Sequence, residues 1–311
     1  MAFNRIKKSV ARMFCDDRAQ GCAVLMYHRI FEPAVDSQLL SVSLENFESH
    51  LIFLKQNYEI ISSQTLVDRL REGNIKDQSI CITFDDGYFD NYLNAFPLLK
   101  HHQIPATIFV STANIGTNQE YWWDELENIF LSSNEKYSDW NALSTYRDSN
   151  ISRYLNLQET FKSLNLEDRC KILNHHKTKD YKPRENYRSM NHEELSEITT
   201  SGIVEIGAHT KNHYSLGRID RFLAITEIQS STNKIREINK KENVFFSYPF
   251  GGPTDCRKDL RQVFDQENIP AAFVNQFGIC SNETSLKAIP RIIARNQQVD
   301  EFSIFINNLW H

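Results

Sequence analysis

The chain has 311 residues, of which 41% are hydrophobic and 24% are charged, so it can form a sizeable core and is not of a disordered type. Its formal net charge of −5, with no overall basic excess, argues against nucleic acid as the main partner. No run of about 18 apolar residues is present, so the sequence predicts no membrane span. Six scattered cysteines without a Cys-x-x-Cys pair resemble a reduced cytosolic protein more than a disulfide framework.

Residues 1–20 form an N-terminal segment without the long apolar core of a secretory signal peptide. Within residues 1–14, apolar side chains fall near one helical face and basic side chains lie between them. The pattern predicts an amphipathic helix or tail, which could lie at a membrane surface, dock on the domain or fray. We predict a cytoplasmic protein. The membrane alternative would add a peripheral contact at the inner membrane face through residues 1–14.

Strands and helices alternate over residues 23–110. Apolar runs indicate buried strands, while apolar side chains at helical spacing after serine caps indicate helices. The predicted strands are 23–28, 58–61, 80–84 and 106–110, and the predicted helices are 44–54, 65–71 and 91–101. Ser43 and Ser63 are the expected N-caps, and Pro97 is expected to kink or restart the third helix. This alternation predicts an α/β fold with a parallel sheet, either as an open sheet or as a barrel.

Residues 118–190 interrupt the alternation. The stretch opens with Tyr121-Trp122-Trp123-Asp124, is otherwise polar, and has weak helical spacing with almost no β-branched runs. A stretch of this length without strands, inside an alternating fold, is typical of an insertion. We therefore predict a single domain over residues 21–311, interrupted by a helical cap or lid over 118–190.

The alternation resumes at Asn191, which is expected to cap a helix with acidic residues in its first turn. The remaining predicted helices are 192–201, 221–240, 259–266 and 302–309, and the predicted strands or extended segments are 204–208, 244–248, 271–274 and 286–292. The strand over 244–248 is broken by Pro249-Phe250-Gly251-Gly252.

Polar groups follow three of the predicted strands at the point where each strand ends. They are Asp85 with Asp86, His209 with His213, and the segment 249–252. Because the carboxyl ends of parallel strands face a common crevice, we expect these groups to lie together. Two histidines and one carboxylate are a common set of metal ligands that leaves coordination positions for water and substrate. The second aspartate is then free to act as a base. Taken alone, the two aspartates also fit a helix cap followed by a turn residue, and the two histidines also fit a chance pair on the surface. Their joint occurrence at strand ends favours a metal site.

The same residues carry a resemblance to a known family. Thr83-Phe84-Asp85-Asp86-Gly87 resembles the TFDDG motif of the polysaccharide deacetylase family (NodB homology, carbohydrate esterase 4). The segment His209-Thr210-Lys211-Asn212-His213 is similar to the family's H-[ST]-x-x-H motif, and the order and separation of the motifs agree. Tyr27-His28-Arg29 and Ser247-Tyr248-Pro249-Phe250-Gly251 resemble the branch that acts in surface-polysaccharide assembly. The resemblance covers roughly residues 20–295, with 118–190 as an insertion.

This resemblance implies a distorted (β/α) barrel and metal-dependent removal of N-acyl groups from amino sugars. By position, it implies that Asp85 is the general base and that Asp86, His209 and His213 bind a divalent metal. The implied metal is most often Zn²⁺, with Co²⁺, Ni²⁺ or Mn²⁺ as alternatives. It also implies that the backbone N–H of Phe250 stabilises the oxyanion formed in the reaction.

Two departures from the family pattern affect the site. Many members have an arginine two residues before the motif proline that orients the catalytic aspartate, and here that position is Ser247. Arg291 is the candidate replacement, although an arginine after a proline also fits a surface position. No convincing late Leu-x-His motif supplies the general acid, since residues 309–311 match only by their letters. His28, at the end of the first predicted strand, is the better candidate for the acid or a metal-site neighbour, with a structural histidine as the alternative.

Aromatic side chains are the candidates for contacts with the sugar. Tyr121, Trp122, Trp123 and Asp124 could form a wall on which a pyranose ring stacks. Alternatively, the tryptophans could anchor the insertion on the barrel. Tyr248, which precedes the motif proline, is a further candidate substrate-binding residue.

The leading functional prediction is a hydrolase that removes the N-acetyl group from an amino sugar of a glycan or lipid-linked glycan in bacterial surface-polysaccharide synthesis. A first alternative keeps the chemistry but removes a formyl group from a lipid-linked formamido sugar. A second alternative is a non-catalytic glycan-binding module with a relic site. The residues expected for the metal and the base are all present, which favours an enzyme.

Overall fold

The computed structural model describes residues 21–75, 78–132 and 150–310. The helix or tail predicted for residues 1–20 lies outside the described residues, as do residues 133–149 of the predicted insertion. In the described part of the chain, no helix combines the length and the apolar character that a membrane crossing requires.

A parallel β-sheet forms the centre of the fold. The strands are β1 Cys22–Tyr27, β2 Arg29–Ile30, β3 Ser41–Val42, β4 Glu59–Ile61, β5 Ser79–Phe84, β6 Ala106–Val110, β7 Val204–Ala208, β8 Phe246–Ser247, β9 Ala272–Phe273 and β10 Ile292–Ile293. Eight of them form one sheet in the order β10-β1-β5-β6-β7-β8-β9, with β4 paired to the start of β5. Every pairing between these strands is parallel, and a bridge between Phe273 and Ile289 joins β9 to the segment that leads into β10. The sheet therefore curls on itself, which confirms the predicted α/β fold of the distorted (β/α) barrel type.

The helices cover the sheet and form most of the described part of the insertion. They are α1 Leu44–Asn57, α2 Ser63–Glu72, α3 Phe96–His102, α4 Trp122–Ser132, α5 Asn150–Lys162, α6 Leu166–His176, α7 His192–Thr200, α8 Arg221–Asn239, α9 Arg261–Gln266 and α10 Val299–Asn308. A π-helical turn, Asn91–Ala95, leads into α3, so Pro97 stands at the restart of the helix, where its missing N–H costs least.

Side-chain caps explain where several helices begin. Ser43 accepts a hydrogen bond from a backbone N–H in the first turn of α1, and Asn191 with Glu194 forms a capping box at the start of α7. Both caps were predicted. The cap of α2 is Ser62 rather than the predicted Ser63, because the hydroxyl of Ser62 accepts the first-turn N–H while Ser63 is already helical.

Alternate residues of the central strands face two different cores. In β1, Ala23 and Leu25 pack with apolar side chains of the helices, whereas Cys22 and Val24 pack inside the barrel with Cys81 of β5. Every residue of β1, β5 and β6 is buried, as expected for parallel strands that are covered on both faces.

The later strands are shorter than predicted, and one small sheet was not predicted. β8 and β9 contain two residues each, although their neighbours in 244–248 and 271–274 are also buried. The apolar residues in these two segments therefore indicate that the chain is buried and extended. Only part of each segment pairs as a strand. β2 and β3 pair with each other outside the main sheet and are too short to produce a periodic pattern.

The insertion helices have a core of their own. Side chains of α4, α5 and α6 form a separate apolar cluster that contains Leu126, Leu157, Phe161 and Leu173. Next to it, Tyr121 and Trp123 pack against Tyr88, which lies just beyond the carboxyl end of β5. The insertion is thereby held over the edge of the sheet where the predicted polar groups lie.

Candidate active site

One cavity of about 300 Å³ lies at the carboxyl edge of the parallel sheet. Asp85 and Asp86 follow β5, His209 and His213 follow β7, and Asn275 follows β9, and all five line this cavity. They meet because parallel strands end at the same edge. The structure therefore brings the two aspartates and the two histidines together, as the sequence predicts.

The turn after β5 holds Asp86 on a strained backbone. Asp86 has a φ of 74° and Gly87 a φ of 78°, both in the left-handed region. A Cβ atom at Gly87 would lie 2.8 Å from Cγ1 of Val110, so a larger residue would have to displace the neighbouring strand. Thr210 and His213 also have positive φ values, 61° and 51°. Strain concentrated at cavity-lining turns is typical of functional sites.

Asp86, His209 and His213 direct their ligand atoms at one another. Nε2 of His213 lies 3.1 Å from Oδ1 of Asp86, and Nε2 of His209 lies 3.5 Å from the same oxygen. The two Nε2 atoms are 3.2 Å apart. Nδ1 of His209 lies 2.8 Å from the carbonyl oxygen of Ser247, which fixes the ring with Nε2 toward the cavity. Two imidazole nitrogens and a carboxylate oxygen, all within 4.8 Å of one another, fit a divalent cation.

The environment favours the protonation states that metal binding needs. Burial tends to raise the pKa of Asp86, but hydrogen bonds from His209 and His213 outweigh it and hold the pKa below its ordinary value. Burial lowers the pKa of His213 to about 4. At neutral pH the cluster therefore offers a carboxylate and an uncharged imidazole, which are the forms that coordinate metals.

Asp85 has a different partner. The guanidinium of Arg291 donates two hydrogen bonds to it, from Nη1 to Oδ1 and from Nη2 to Oδ2, each 2.7 Å long. Burial tends to raise the pKa of Asp85, but Arg291 and then His209 lower it more, so the pKa lies below its ordinary value. Asp85 is thus an ionised carboxylate held beside Asp86, His209 and His213, which we call the metal-type cluster.

Arg291 reaches Asp85 from the segment just before β10. Its side chain is 1% exposed, and Nη2 also donates to the hydroxyl of Ser247 at 2.8 Å. The backbone N–H of Arg291 donates to the carbonyl of Gln276 at 3.0 Å, which ties the segment to the chain after β9. Ser247 occupies the sequence position where the family resemblance leads one to expect an arginine. Its small side chain contacts the guanidinium of Arg291, which comes from a different segment.

Three further predicted residues lie at the cavity. His28, Trp123 and Phe250 all line it. The ring centroid of Trp123 is 4.3 Å from that of His213, and the ring centroid of Phe250 is 4.8 Å from it. Burial lowers the pKa of His28, although Asp86 and Asp85 act in the opposite direction.

The other predicted sugar contacts do not line this cavity. Trp122 is half-buried; its ring stacks on Phe161 of the insertion core, with centroids 5.9 Å apart, and lies 6.5 Å from the ring of Phe250. Asp124 is buried and accepts a 2.6 Å hydrogen bond from the hydroxyl of Tyr88. Tyr248 packs against core phenylalanines and lines a different cavity. Of the two tryptophans predicted for the wall, only Trp123 lines the cavity, and its contact with a sugar stays a prediction.

Several residues that sequence reasoning missed complete the cavity wall. They come from the loop before β3, from α5 and from the chain beyond β8 and β10: Gln38, Leu40, Gln158, Lys162, Asp255 and Arg295. No local motif marks them, because only the folded insertion and loops bring them to the sheet edge. Tyr121, which the sequence did predict as part of the aromatic wall, lies behind the cavity lining, where its hydroxyl donates to the carbonyl oxygen of Asp86 at 2.5 Å.

Asp124 offers a test of the packing under the insertion. Burial raises the pKa of its carboxyl to about 8, so between the unfolded and folded pKa values the folded state binds one more proton than the unfolded state. Wild-type stability should therefore fall as pH rises through this window, by about 1.4 kcal/mol per pH unit from this group. Asp124→Asn has no carboxyl to titrate at this position. The difference in free energy of unfolding, variant minus wild type, should therefore increase from about pH 5 to about pH 8 and stay constant above that. Urea unfolding at a series of pH values measures this gap, and a gap independent of pH would contradict the raised pKa.

The chain matches a known family and several curated relatives. The family model described as polysaccharide deacetylase matches residues 72–272. The putative polysaccharide deacetylase YxkH of Bacillus subtilis is 36% identical over 108 residues, which make up 34% of this chain and 37% of that protein. The poly-β-1,6-N-acetyl-D-glucosamine N-deacetylase of Staphylococcus aureus (strain N315) is 25% identical over 205 residues, 58% of this chain and 69% of that protein. The match to the first of these relatives thus spans little more than a third of its length.

Solved structures show the same fold over most of the chain. The Streptococcus pyogenes deacetylase PplD, in complex with acetate, is similar with a TM-score of 0.62 and 16% sequence identity, covering 94% of this chain and 98% of that one. IcaB from Ammonifex degensii is similar with a TM-score of 0.61 and 17% sequence identity, and the match covers 93% of this chain and 98% of that one. At these identities the likeness establishes the fold.

Proposed function

Because the chain belongs to the polysaccharide deacetylase family, we propose that it is a metal-dependent hydrolase that removes the N-acetyl group from an amino sugar of a glycan or lipid-linked glycan. The observation that carries this proposal is the different environment of the two adjacent aspartates. Asp86 faces His209 and His213, whereas Asp85 is held by Arg291. The cavity thus has one carboxylate for a cation and a second, ionised carboxylate for proton transfer.

Asp86, His209 and His213 would hold the metal, and the proposed ion is Zn²⁺, with Co²⁺, Ni²⁺ or Mn²⁺ as alternatives. When bound, a divalent ion supplies Lewis-acid polarisation of oxygen and lowers the pKa of water. The three residues come from two strand ends and all line the cavity, so an ion held by them would face the space in which a substrate can bind.

The chain's own residues would move the protons. Asp85 accepts the proton of the attacking water at its carboxylate, and Arg291 keeps that carboxylate ionised and oriented. The backbone N–H of Phe250 donates to the acyl oxygen as negative charge develops there. His28, which lines the same cavity, would donate a proton to the leaving nitrogen after first taking one up, because burial lowers its pKa and favours the uncharged ring beforehand. Water adds to the acyl carbon, the C–N bond breaks, and acetate and a free amine leave.

The substrate class rests on the family and on the relatives. The Staphylococcus aureus relatives are named for action on poly-β-1,6-N-acetyl-D-glucosamine, and we carry over only the class of N-acetylated amino sugar. A role in surface-polysaccharide synthesis in the cytoplasm stays a prediction. So does a peripheral membrane contact through residues 1–14, which lie outside the described residues.

Metal removal tests the proposal. Chelation should lower acetate release from N-acetylated sugar oligomers by at least about a hundredfold, and added Zn²⁺ or Co²⁺ should restore it. His209→Ala should bind no stoichiometric metal and should not recover. His175→Ala is the matched control, because His175 is exposed on α6 away from the cavity. Full activity in the chelated protein, or full activity of His209→Ala, would contradict a metal-dependent reaction.

A further inference from the structure

A second cavity, of about 290 Å³, lies beside the one that is lined by Asp85 and Asp86, which we call the catalytic cavity. We call the second cavity the basic cavity. It is lined by residues of the chain after β8 and after β9, together with Lys287 and Ala288. The two cavities share a wall, since Phe250 and Asn275 line the catalytic cavity while Tyr248 and Gln276 line the basic one.

Positive charge dominates this cavity. Its charged lining residues are all cations: Arg257, Lys258, Arg261 and Lys287. Arg257 is compensated by Asp259, which accepts two hydrogen bonds of 3.0 Å from it, and Lys287 lies 2.9 Å from a carboxylate oxygen of Asp265.

Two of the four cations remain uncompensated. Within the described residues, neither Lys258 nor Arg261 forms an ion pair with a carboxylate. Both side chains are exposed, so they can move to meet a ligand at little cost to the fold. A local excess of two positive charges on a chain of net charge −5 attracts an anion to this place rather than to the surface in general.

We propose that the basic cavity binds a phosphate group carried by the glycan substrate. A phosphate near neutral pH has up to two negative charges, which matches the two uncompensated cations. The guanidinium of Arg261 suits bidentate binding of phosphate oxygens, and Lys258 adds a point charge. This inference rests on the proposed function, because it is the N-acylated sugar at Asp85 that would bring the phosphate to the shared wall.

The position of the cavity favours a phosphate on the sugar chain over free phosphate. Tyr248 and Phe250, and likewise Gln276 and Asn275, are close in the chain but line different cavities, so the two cavities lie on either side of the same two segments. A sugar chain whose acetamide is bound at Asp85 would have to pass over the rim of these segments to place a phosphate in the basic cavity. Among the described residues that line the cavity, none is acidic, so a cationic glycan would find no charge partner there.

Binding measurements test the site separately from catalysis. Titration calorimetry would compare N-acetylglucosamine 1-phosphate, N-acetylglucosamine and inorganic phosphate on the metal-loaded protein. We expect the sugar phosphate to bind more tightly than either other probe, and its binding to weaken with added salt. Lys258→Gln/Arg261→Gln should weaken it by about tenfold or more, since charge-assisted hydrogen bonds are lost.

Two control variants separate the basic cavity from general surface charge and from the metal-type cluster. Arg71→Gln/Lys100→Gln removes two exposed cations outside both cavities and should leave binding unchanged. His213→Ala tests whether phosphate merely binds at the metal. Binding that is lost in His213→Ala but unchanged in Lys258→Gln/Arg261→Gln would overturn the proposal, and so would equal affinity for N-acetylglucosamine and its 1-phosphate. Inorganic phosphate binding as tightly as the sugar phosphate would overturn the assignment to a glycan.

Turnover distinguishes this proposal from the one it rests on. On N-acetylated sugars with and without phosphate, the ratio of kcat/KM values should favour the phosphorylated sugar in wild type and fall about tenfold in Lys258→Gln/Arg261→Gln. Deacetylation with a ratio that the double variant does not change would refute the basic cavity alone. Phosphate-selective binding that depends on Lys258 and Arg261, without any deacetylation, would refute the proposed function alone.

Discussion

Asp85→Asn is expected to lower the turnover number by about 10²- to 10⁴-fold, the range that removal of a general base produces. Asparagine keeps the shape of the side chain and one acceptor for Arg291, but its amide cannot take a proton from water at neutral pH. The metal content should stay near wild type, because the metal-type cluster consists of Asp86, His209 and His213. Steady-state kinetics with metal analysis of the same preparation measures both quantities.

A matched variant separates lost chemistry from lost stability. Asp90 is also a buried aspartate paired with a buried arginine, Arg29, at 2.9 Å, and it lies outside the catalytic cavity. Asp90→Asn should destabilise the fold to a similar extent but keep most of the turnover. Retained activity in Asp85→Asn, or equal losses in both variants, would contradict the assignment of Asp85 as the base.

Arg291→Met should cost both activity and stability. Breaking a buried ion pair by removing one partner leaves the other charge uncompensated and typically costs about 3–5 kcal/mol. Without the guanidinium, only the weaker effects of His209 and His28 still oppose burial at Asp85, so its pKa rises and the carboxylate is protonated at a higher pH. The acidic limb of the profile of kcat/KM against pH should therefore shift upward by about one to three pH units. Arg291→Lys should shift it less, since it keeps the charge but loses the two-point contact.

Arg29→Met is the control for the arginine. It breaks the comparable buried pair with Asp90, so it should lose similar stability in urea unfolding. Its pH profile should keep the wild-type acidic limb, because Asp90 does not line the catalytic cavity. An unshifted limb in Arg291→Met, or the same shift in Arg29→Met, would show that Arg291 does not control the ionisation of Asp85.

Local signals predict the parts of the fold that depend on neighbouring residues in the chain. Buried parallel strands are continuous apolar runs, so β1, β5, β6 and β7 could be placed within a residue or two. Asp85, Asp86, His209 and His213 could be brought together because strand ends of a parallel sheet share an edge. The limits of β8 and β9 could not be predicted, because they depend on pairing with distant segments such as the chain around Ile289.

Side-chain directions at the site depend on tertiary packing and were predicted less well. Trp122 and Trp123 are adjacent in sequence, yet only Trp123 faces the cavity, because the first turn of α4 sends Trp122 into the insertion core. Tyr248 could not be assigned to either cavity from its motif, since its direction is set by the core phenylalanines around it. The pairing of Arg291 with Asp85 spans 206 positions, so the sequence offered Arg291 only as a candidate.

The most direct test of the account is to measure acetate and new free amine together, with metal-loaded wild-type protein and an N-acetylated amino-sugar oligomer. We predict that the two products appear in equal amounts, and that both appear at least about a hundredfold more slowly with Asp85→Asn. Acetate without new amine would indicate ester cleavage, and formate from a formamido sugar without any acetate would indicate a deformylase. The absence of both products from every N-acetylated sugar tested would contradict the proposed N-deacetylase.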